Sequence, residues 1–305
     1  MIFLQTEHGS KQIDDWSEIT SRPNFQPSIN KGDHKLTEIF GYYRFKDEIH
    51  CGLSGCHQPH GLGFIVRTAT GAETNVGHVC GEKEFGVAFK ELASSFKEYY
   101  EVEQYKAIII SARTECDAWT QRINSLRSGK QNLDYCYSLL TDIQNANYAG
   151  RIAATEIRQL AKSQDGTVTL TEVATDAKSK AILFQLNRHM RDSGEATTEF
   201  EMGKVSFTHV LLAENNLREL YVALTVDIKK IAEIDINSPT PRLADASRIS
   251  NTIEERIKKL KALHHDATKF LTPKNLAPVL KKIKYSSTTN DHDFRQFDYL
   301  LKSIK

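Results

Sequence analysis

Three cysteines and several histidines lie close together in one short part of the chain. Cys51 and Cys56 are separated by four residues, His60 follows shortly after them, and Cys80 comes later in the same segment. Thiolate and imidazole groups are the ligands that zinc prefers in proteins, and a structural zinc site usually has four of them in a tetrahedral arrangement. The sequence therefore predicts one zinc ion bound by Cys51, Cys56, His60 and Cys80.

Two other histidines compete with His60 for the fourth position. His78 is the first substitute, because residues two apart on a strand point to the same side, and His78 stands two residues before Cys80. His57 is a poorer candidate, because it is crowded against Cys56. The choice among the three histidines stays open at this point.

A structural zinc ion fits this segment better than a catalytic one. A catalytic zinc needs an open coordination position and a neighbouring general base, for which Glu82 or Glu84 is the available residue. Four good ligands are already present, and they would leave no coordination position open for water or a substrate. Clustering of the cysteines by chance is the remaining alternative.

The use of cysteine also bears on the compartment. The chain has five cysteines, and this odd number argues against a complete disulfide framework. Cys116 and Cys136 fall in helical patterns and are predicted to be small core residues. The N-terminus lacks the basic start and long apolar core of a secretory signal, and no apolar run is long enough to cross a membrane. We therefore expect a cytoplasmic protein.

Short predicted elements surround the cysteines. Gly52 and Gly55 allow the chain to turn tightly enough for two thiolates to face one ion. Residues 63–67 and 73–77 read as a β-hairpin, and Cys80 stands where a long helix is predicted to begin. A cysteine knuckle, a hairpin and a ligand at a helix start resemble the treble-clef class of zinc fingers, over about forty of the 305 residues.

A change of period follows the zinc segment. From Phe89 to Leu126 the apolar residues are spaced by threes and fours, which predicts one long helix. A second helix is predicted for 131–163, and the short break between them favours an antiparallel helical hairpin of coiled-coil type. Farther on, residues 167–173 and 197–209 read as strands with a hairpin turn at Gly203.

We therefore predict a mainly α protein with a small α+β zinc finger, then a long antiparallel helical hairpin, then a second helical unit with a short β-hairpin. The predicted segments are a loosely ordered N-terminal arm, a zinc-finger unit, the helical hairpin and a mainly helical C-terminal unit. Their boundaries are 1–33, 34–86, 87–165 and 166–305.

One region stands out in a chain whose net charge is only +1. Between positions 256 and 284 nine lysines or arginines accompany a single acid, Asp266. Such a local excess can follow a phosphate backbone, although many charged helix faces only contact water. The residues predicted to contact nucleic acid are Arg256, Lys258, Lys259, Lys261, Lys281, Lys282 and Lys284.

These features favour a non-enzymatic zinc-binding adaptor that contacts DNA or RNA through its basic C-terminal helices. The first alternative is a protein-interaction or assembly subunit that uses the coiled-coil hairpin to bind itself or a partner. The second is a metal-dependent hydrolase. The sequence has no P-loop, no nucleophile elbow and no zinc-protease motif, so an enzyme is the less favoured interpretation, and no membrane partner is expected.

Overall fold

The computed structural model of the protein describes residues 1–7, 9–30, 32, 35–286 and 291–304. The strands in the described residues are β1 Ile2–Thr6, β2 Gly9–Ile13, β3 Leu36–His50, β4 Pro59–Thr68, β5 Glu73–Gly77, β6 Thr167–Val173 and β7 Thr197–Lys204. The helices there are α1 Ser17–Thr20, α2 His78–Ser125, α3 Leu133–Asp142, α4 Ala146–Ala149, α5 Arg151–Ser163, α6 Ala177–Leu186, α7 Arg188–Ser193, α8 Leu217–Glu233, α9 Thr240–Ser250, α10 Ile253–Phe270, α11 Pro273–Tyr285 and α12 Asp291–Ser303.

The chain divides into two compact units. The first comprises residues 1–111 and 235–247, and the second comprises 112–234 and 248–305. Among the described residues, no helix combines the length and the apolar character that crossing a membrane requires.

A five-stranded antiparallel sheet forms the centre of the first unit. Its strand order is β2-β1-β3-β4-β5. Side chains alternate between two cores as strand geometry requires: Phe64 and Val66 of β4 lie in one, and Ile65 lies in the other. Phe89, Ala93 and Phe96 of α2 lie in the same core as Phe64, so the helix covers that face of the sheet.

The N-terminal segment belongs to this sheet. Residues 1–33, for which we predicted a loosely ordered arm, contribute β1 and β2, and β1 pairs with β3 through Ile2–Tyr43 and Leu4–Gly41. Ile2 and Leu4 are almost fully buried. His34, at which the predicted zinc-finger unit begins, lies outside the described residues.

The predicted small zinc finger is therefore wrong as a description of the fold. The hairpin predicted at 63–67 and 73–77 is present, with Gly63 opposite Gly77 and Arg67 opposite Glu73. It is the edge of a larger sheet, however, and not half of a treble-clef unit. The cysteines lie at one end of this sheet.

The predicted long antiparallel helical hairpin is also wrong. The first helix runs as α2 to Ser125, with a kink at Gly86, whose φ of 62° and ψ of −136° are not helical. The second does not continue through 131–163. It is divided into α3, α4 and α5, because the Asn145 side chain caps a new helix and Gly150 has a φ of 82° and a ψ of 155° that no helix contains. The short α3 packs against α8 and α10.

The second unit is a helical assembly with one two-stranded sheet. The strand predicted at 167–173 is present as β6, and it pairs with β7 in antiparallel register. The predicted hairpin turn at Gly203 is wrong, because Gly203 lies within β7 opposite Val168, and α6 and α7 connect the two strands. Cys116 and Cys136 are buried in the core of this unit, as predicted.

Candidate metal centre and basic helices

The sulphurs of Cys51, Cys56 and Cys80 lie within 4.8 Å of one another, and all three cysteines are free thiols. Cys51 is buried, whereas Cys56 and Cys80 are half-buried. Two thiolates on one tetrahedral zinc ion stand about 3.8 Å apart. The Cys56 and Cys80 sulphurs are 2.9 Å apart and would separate by about 1 Å on binding zinc. This cluster can hold a metal ion.

The loop that carries the first two thiols is fixed by its glycines. Cys51 directly follows β3, and the amide of Gly52 donates to the carbonyl of Asn75 on β5 over 2.8 Å. A Cβ atom on Gly52 would lie 2.0 Å from the hydroxyl oxygen of Thr74, so only glycine allows this approach. Gly55, at a φ of 78°, then turns the chain back towards Cys56.

The third thiol stands at a helix start. β5 ends at Gly77 and α2 begins at His78, so Cys80 lies in the first turn of α2. The free amide groups of a helix start favour a thiolate, but at Cys80 burial and the neighbouring thiols outweigh this effect unless a metal is bound. Cys80 therefore lies near a helix start, as predicted, while its role as a zinc ligand stays a prediction.

Backbone amides affect the acidity of two of the thiols. Hydrogen bonding by the amides of Gly77 and Leu53 acts to lower the pKa of the Cys51 thiol, and that by the Gln58 amide acts to lower the pKa of Cys56. Such donors reduce the cost of placing several thiolates together, as the outer groups of metal sites commonly do. The donor set therefore suits a bound cation.

The three thiols differ in acidity. Burial raises the pKa of the Cys51 thiol, and burial together with the hydrogen bond to Cys56 raises the pKa of Cys80 to about 12. Burial also acts against ionisation of Cys56, but hydrogen bonds from the Cys80 thiol and the Gln58 amide outweigh it and lower its pKa. A bound dication would remove all three protons, because a coordinating thiol is deprotonated outright.

His60 is close to the cysteine loop but is occupied by other partners. The Asn75 amide donates to the hydroxyl of Tyr43 over 3.3 Å, and that hydroxyl lies 2.6 Å from Nε2 of His60. Nδ1 of His60 lies 3.0 Å from the carbonyl of Gln58. Both ring nitrogens therefore have partners, and His60 is not in the cluster formed by the thiols.

The other two histidines are placed differently. His57 has a left-handed backbone, with a φ of 46°, and is exposed. Nε2 of His78 lies 3.1 Å from Oε1 of Glu82, while Nδ1 of His78 is buried without a hydrogen-bond partner. We ranked His78 second because a strand would point it and Cys80 to the same side; this premise is wrong, since both lie in α2, where residues two apart do not face each other.

A cleft of about 670 Å³ opens beside the thiols. Its walls include the sulphur-bearing Cys56 and Cys80, both His60 and His78, and the charged Lys83 and Glu84. The half-buried thiols are thus accessible to an incoming ion from this side.

The basic region predicted to bind nucleic acid forms α10 and α11 in the second unit. Two of its nine cations are used inside the fold: Arg256 pairs with Asp227 at 2.6 Å, and Lys282 pairs with the buried Glu156. The other seven are exposed, and none of them has an ion pair within the described part of the chain. They are Lys258, Lys259, Lys261, Lys269, Lys274, Lys281 and Lys284.

Two nearby acids are hydrogen-bonded to groups other than these lysines. Asp266 pairs with His209 at 3.0 Å, and Glu254 accepts from Arg122 and from the Trp119 indole. The exposed lysines also follow helical spacing: Lys258, Lys261 and Lys269 share one face of α10, and Lys274 and Lys281 share one face of α11.

The arrangement thus combines a three-thiol cluster in one unit with two lysine-rich helix faces in the other. Comparison with protein-family models, with curated proteins and with solved structures gives no match to this chain.

Proposed function

We propose that the protein is a non-enzymatic, zinc-binding adaptor that contacts nucleic acid through α10 and α11. The observation that carries the binding function is the set of seven exposed lysines without ion pairs in the described residues. Zinc is the metal we propose at Cys51, Cys56 and Cys80.

The choice of zinc is supported by the donor chemistry. Three thiolates form a soft ligand set, and an N/S set of four suits zinc better than magnesium or calcium, which take oxygen ligands. The cysteine loop is bonded to β5 through Gly52, so an ion there would also connect β3, β5 and α2. We therefore assign the ion a structural role.

Nucleic acid is supported by the lack of ion pairs to these seven lysines in the part of the chain that the structure describes. Phosphate contacts need cations that are not already paired, and each such contact releases a counterion from the nucleic acid. Tyr285, at the end of α11, is 56% exposed, and the Lys284 ammonium lies 5.7 Å from the centre of its ring. An exposed aromatic ring beside cations can stack on an unpaired base, which favours a single-stranded ligand.

The test of this binding uses the full chain and a single-stranded 30-nucleotide probe, with the matching duplex for comparison. The variant carries Lys258→Gln, Lys261→Gln and Lys281→Gln together. We expect weaker binding to both probes and a salt dependence that is less steep by about three contacts.

The matched control removes the same charge elsewhere. Lys130, Lys178 and Lys180 are also exposed, and their joint change to Gln should leave affinity and salt dependence as in the wild type. Equal losses in the two variants would mean that net charge, and not α10 and α11, determines binding. Absence of binding by the wild-type protein would contradict the proposed function.

Zinc is tested separately, by elemental analysis of protein purified without added metal. We expect about one zinc ion per chain, as a single tetrahedral site requires. Cys51→Ser should lose it, whereas Cys136→Ser, in the core of the other unit, should keep it. Equal zinc content in wild type and Cys51→Ser would contradict the site.

A protein-binding role is the second candidate. The predicted coiled-coil hairpin is absent, but α6 buries none of its side chains, and Ile182 and Leu186 on it are exposed. Exposed apolar groups of this kind often mark a contact surface. Sedimentation of wild type and of an Ile182→Ser, Leu186→Ser variant would show whether this helix drives self-association.

A further inference from the structure

We propose that His78, through Nδ1, supplies the fourth ligand of the metal centre in place of His60; this rests on the zinc site proposed at the three cysteines.

The position of His78 in the chain favours this role. It is the first residue of α2 and directly follows the end of β5, at the end of the sheet where the three cysteines lie. It also lines the cleft that Cys56 and Cys80 line. His78 therefore shares a cavity wall with two of the thiols; like His60, it lies outside the group of ligand atoms within 4.8 Å, so its ring would have to move towards the thiols to bind the ion.

The hydrogen bonding of the His78 ring fits a metal ligand. Nε2 lies 3.1 Å from a Glu82 carboxylate oxygen, so the proton of the neutral ring belongs on Nε2. Nδ1 then carries a free lone pair. Metal-bound histidines commonly donate their other ring N–H to a carboxylate in this way, which fixes both the tautomer and the orientation of the ring.

Nδ1 of His78 is a buried polar atom that makes no hydrogen bond within the described part of the chain. It is the one buried side-chain nitrogen or oxygen without a hydrogen-bond partner among the residues that the structure describes. Buried polar atoms nearly always have a partner, and an unpaired one often marks the place of an ion or a water molecule. A metal ion bound to the neighbouring thiols would satisfy it.

His60 lacks such a free nitrogen. Its Nδ1–H donates to the Gln58 carbonyl, and its Nε2 accepts from the Tyr43 hydroxyl. Coordination would require it to break one of these two bonds, whereas Nδ1 of His78 has no hydrogen bond to lose. His60 is therefore a structural residue that orders the Cys51–Cys56 loop through Gln58 and Tyr43.

The experiment compares the full-length wild type with His78→Ala and His60→Ala, each loaded with Zn²⁺. X-ray absorption spectroscopy counts the sulphurs and detects imidazole by its outer-shell scattering, and competition with a chelator gives the zinc affinity. We expect three sulphurs and one imidazole in wild type and in His60→Ala. In His78→Ala we expect the imidazole signal to disappear and the zinc affinity to fall by at least about tenfold, since loss of outer partners alone costs about 10–100-fold.

His78→Cys keeps the test decisive if His78→Ala does not fold. We expect it to bind zinc with four sulphurs, and its Co²⁺ form to show stronger thiolate charge-transfer absorption than wild type. Loss of the imidazole signal in His60→Ala, or its persistence in either His78 variant, would overturn the assignment to His78. A wild-type protein that binds no metal would instead contradict the zinc site itself, so the two failures are distinguishable.

Discussion

A buried carboxylate in the first unit shows how single residues set its stability. Glu73 is 2% exposed and accepts hydrogen bonds from Arg22 at 2.6 Å and from Arg67 at 2.9 Å. Burial alone would raise its pKa, but the two guanidinium groups outweigh burial and lower it. Both arginines also lie over the Phe40 ring, at 5.3 and 4.7 Å from its centre, so this cluster joins charge and packing.

We expect Glu73→Gln to destabilise the first unit by about 3 kcal/mol, because it leaves two guanidinium groups without their buried partner. The lowered pKa adds a pH dependence: the stabilisation is present above the ordinary pKa of 4.5 and is lost as the pH falls through the lower value of the folded state. Denaturant titrations of wild type and variant between neutral and acidic pH measure both effects. The difference between the two proteins should shrink as Glu73 becomes protonated.

The matched control for this prediction is Glu38→Gln. Glu38 also accepts from Arg67, at 2.6 Å, but its side chain is 43% exposed. A solvated pair of this kind contributes under about 1 kcal/mol. Equal losses from Glu38→Gln and Glu73→Gln would show that burial of the carboxylate has no special effect.

Residue spacing predicts the three clustered cysteines but does not distinguish the histidines that could be the fourth ligand. The three cysteines were predicted from residue type and spacing, because few other patterns bring free thiols together in so short a segment. The histidines were not separable in this way, since the difference between His60 and His78 lies in their hydrogen-bond partners. The spacing of His78 and Glu82, which places a carboxylate one helical turn away, is a sequence signal for His78 that the predicted strand at this position concealed.

At the scale of elements, the sequence predicts regular segments and misses irregular ones. The β4–β5 hairpin followed from alternation, and α2 from Phe89 onward followed from helical spacing, but the start of α2 at His78 did not. β3 did not, because its register shifts between Leu36 and Glu38, between Ile39 and Gly41, and between Arg44 and Ile49 interrupt the period of two. β2 has almost no apolar residue to indicate a strand.

The incorrect helical hairpin has a local cause at Gly150. Apolar spacing continues on both sides of this residue, so periodicity alone joins α3, α4 and α5 into one helix. Gly150 has a φ of 82°, and a Cβ atom there would lie 3.2 Å from the backbone oxygen of Asp293 in α12. The side chain of Asp293 in turn accepts from the amide of Arg151 at the start of α5, over 3.3 Å.

We therefore expect Gly150→Ala to destabilise the second unit by about 2 kcal/mol, because it adds crowding against α12 to the strain of a positive φ. Gly129→Ala provides the comparison: Gly129 has a φ of 90°, but no atom lies within 4 Å of the position of its Cβ. Its cost should be limited to backbone strain, about 1 kcal/mol. Thermal unfolding of both variants measures the difference, and an equal or smaller cost at Gly150 would contradict the role assigned to Asp293.

At the scale of the whole molecule, the two proposed activities belong to different units. The thiols lie within residues 1–111, and the lysine-rich helices lie within the second unit. The net charge of +1 conceals this arrangement, because acids elsewhere balance the seven exposed lysines in the total. Composition alone therefore indicates neither function; the clustered cysteines and the lysine-rich helices are visible only as local patterns.

Removal of zinc should accordingly affect one unit before the other. Each unit contains one tryptophan: Trp16 packs against Phe25, Tyr43 and Phe45 in the first, and Trp119 donates to Glu254 over 2.7 Å in the second. Trp119→Phe leaves Trp16 as the only indole of the chain, and Trp16→Phe leaves Trp119. The fluorescence of each variant therefore reports one unit.

With a zinc chelator present, we expect the transition reported by Trp16 to move to lower denaturant concentration, because bound metal stabilises only the folded state that holds it. The transition reported by Trp119 should stay where it is, and so should the affinity for the single-stranded probe. Added zinc should restore the Trp16 transition in the Trp119→Phe protein, but not when that protein also carries Cys51→Ser. A chelator that shifted the Trp119 transition and left the Trp16 transition unchanged would contradict a structural metal at the three cysteines.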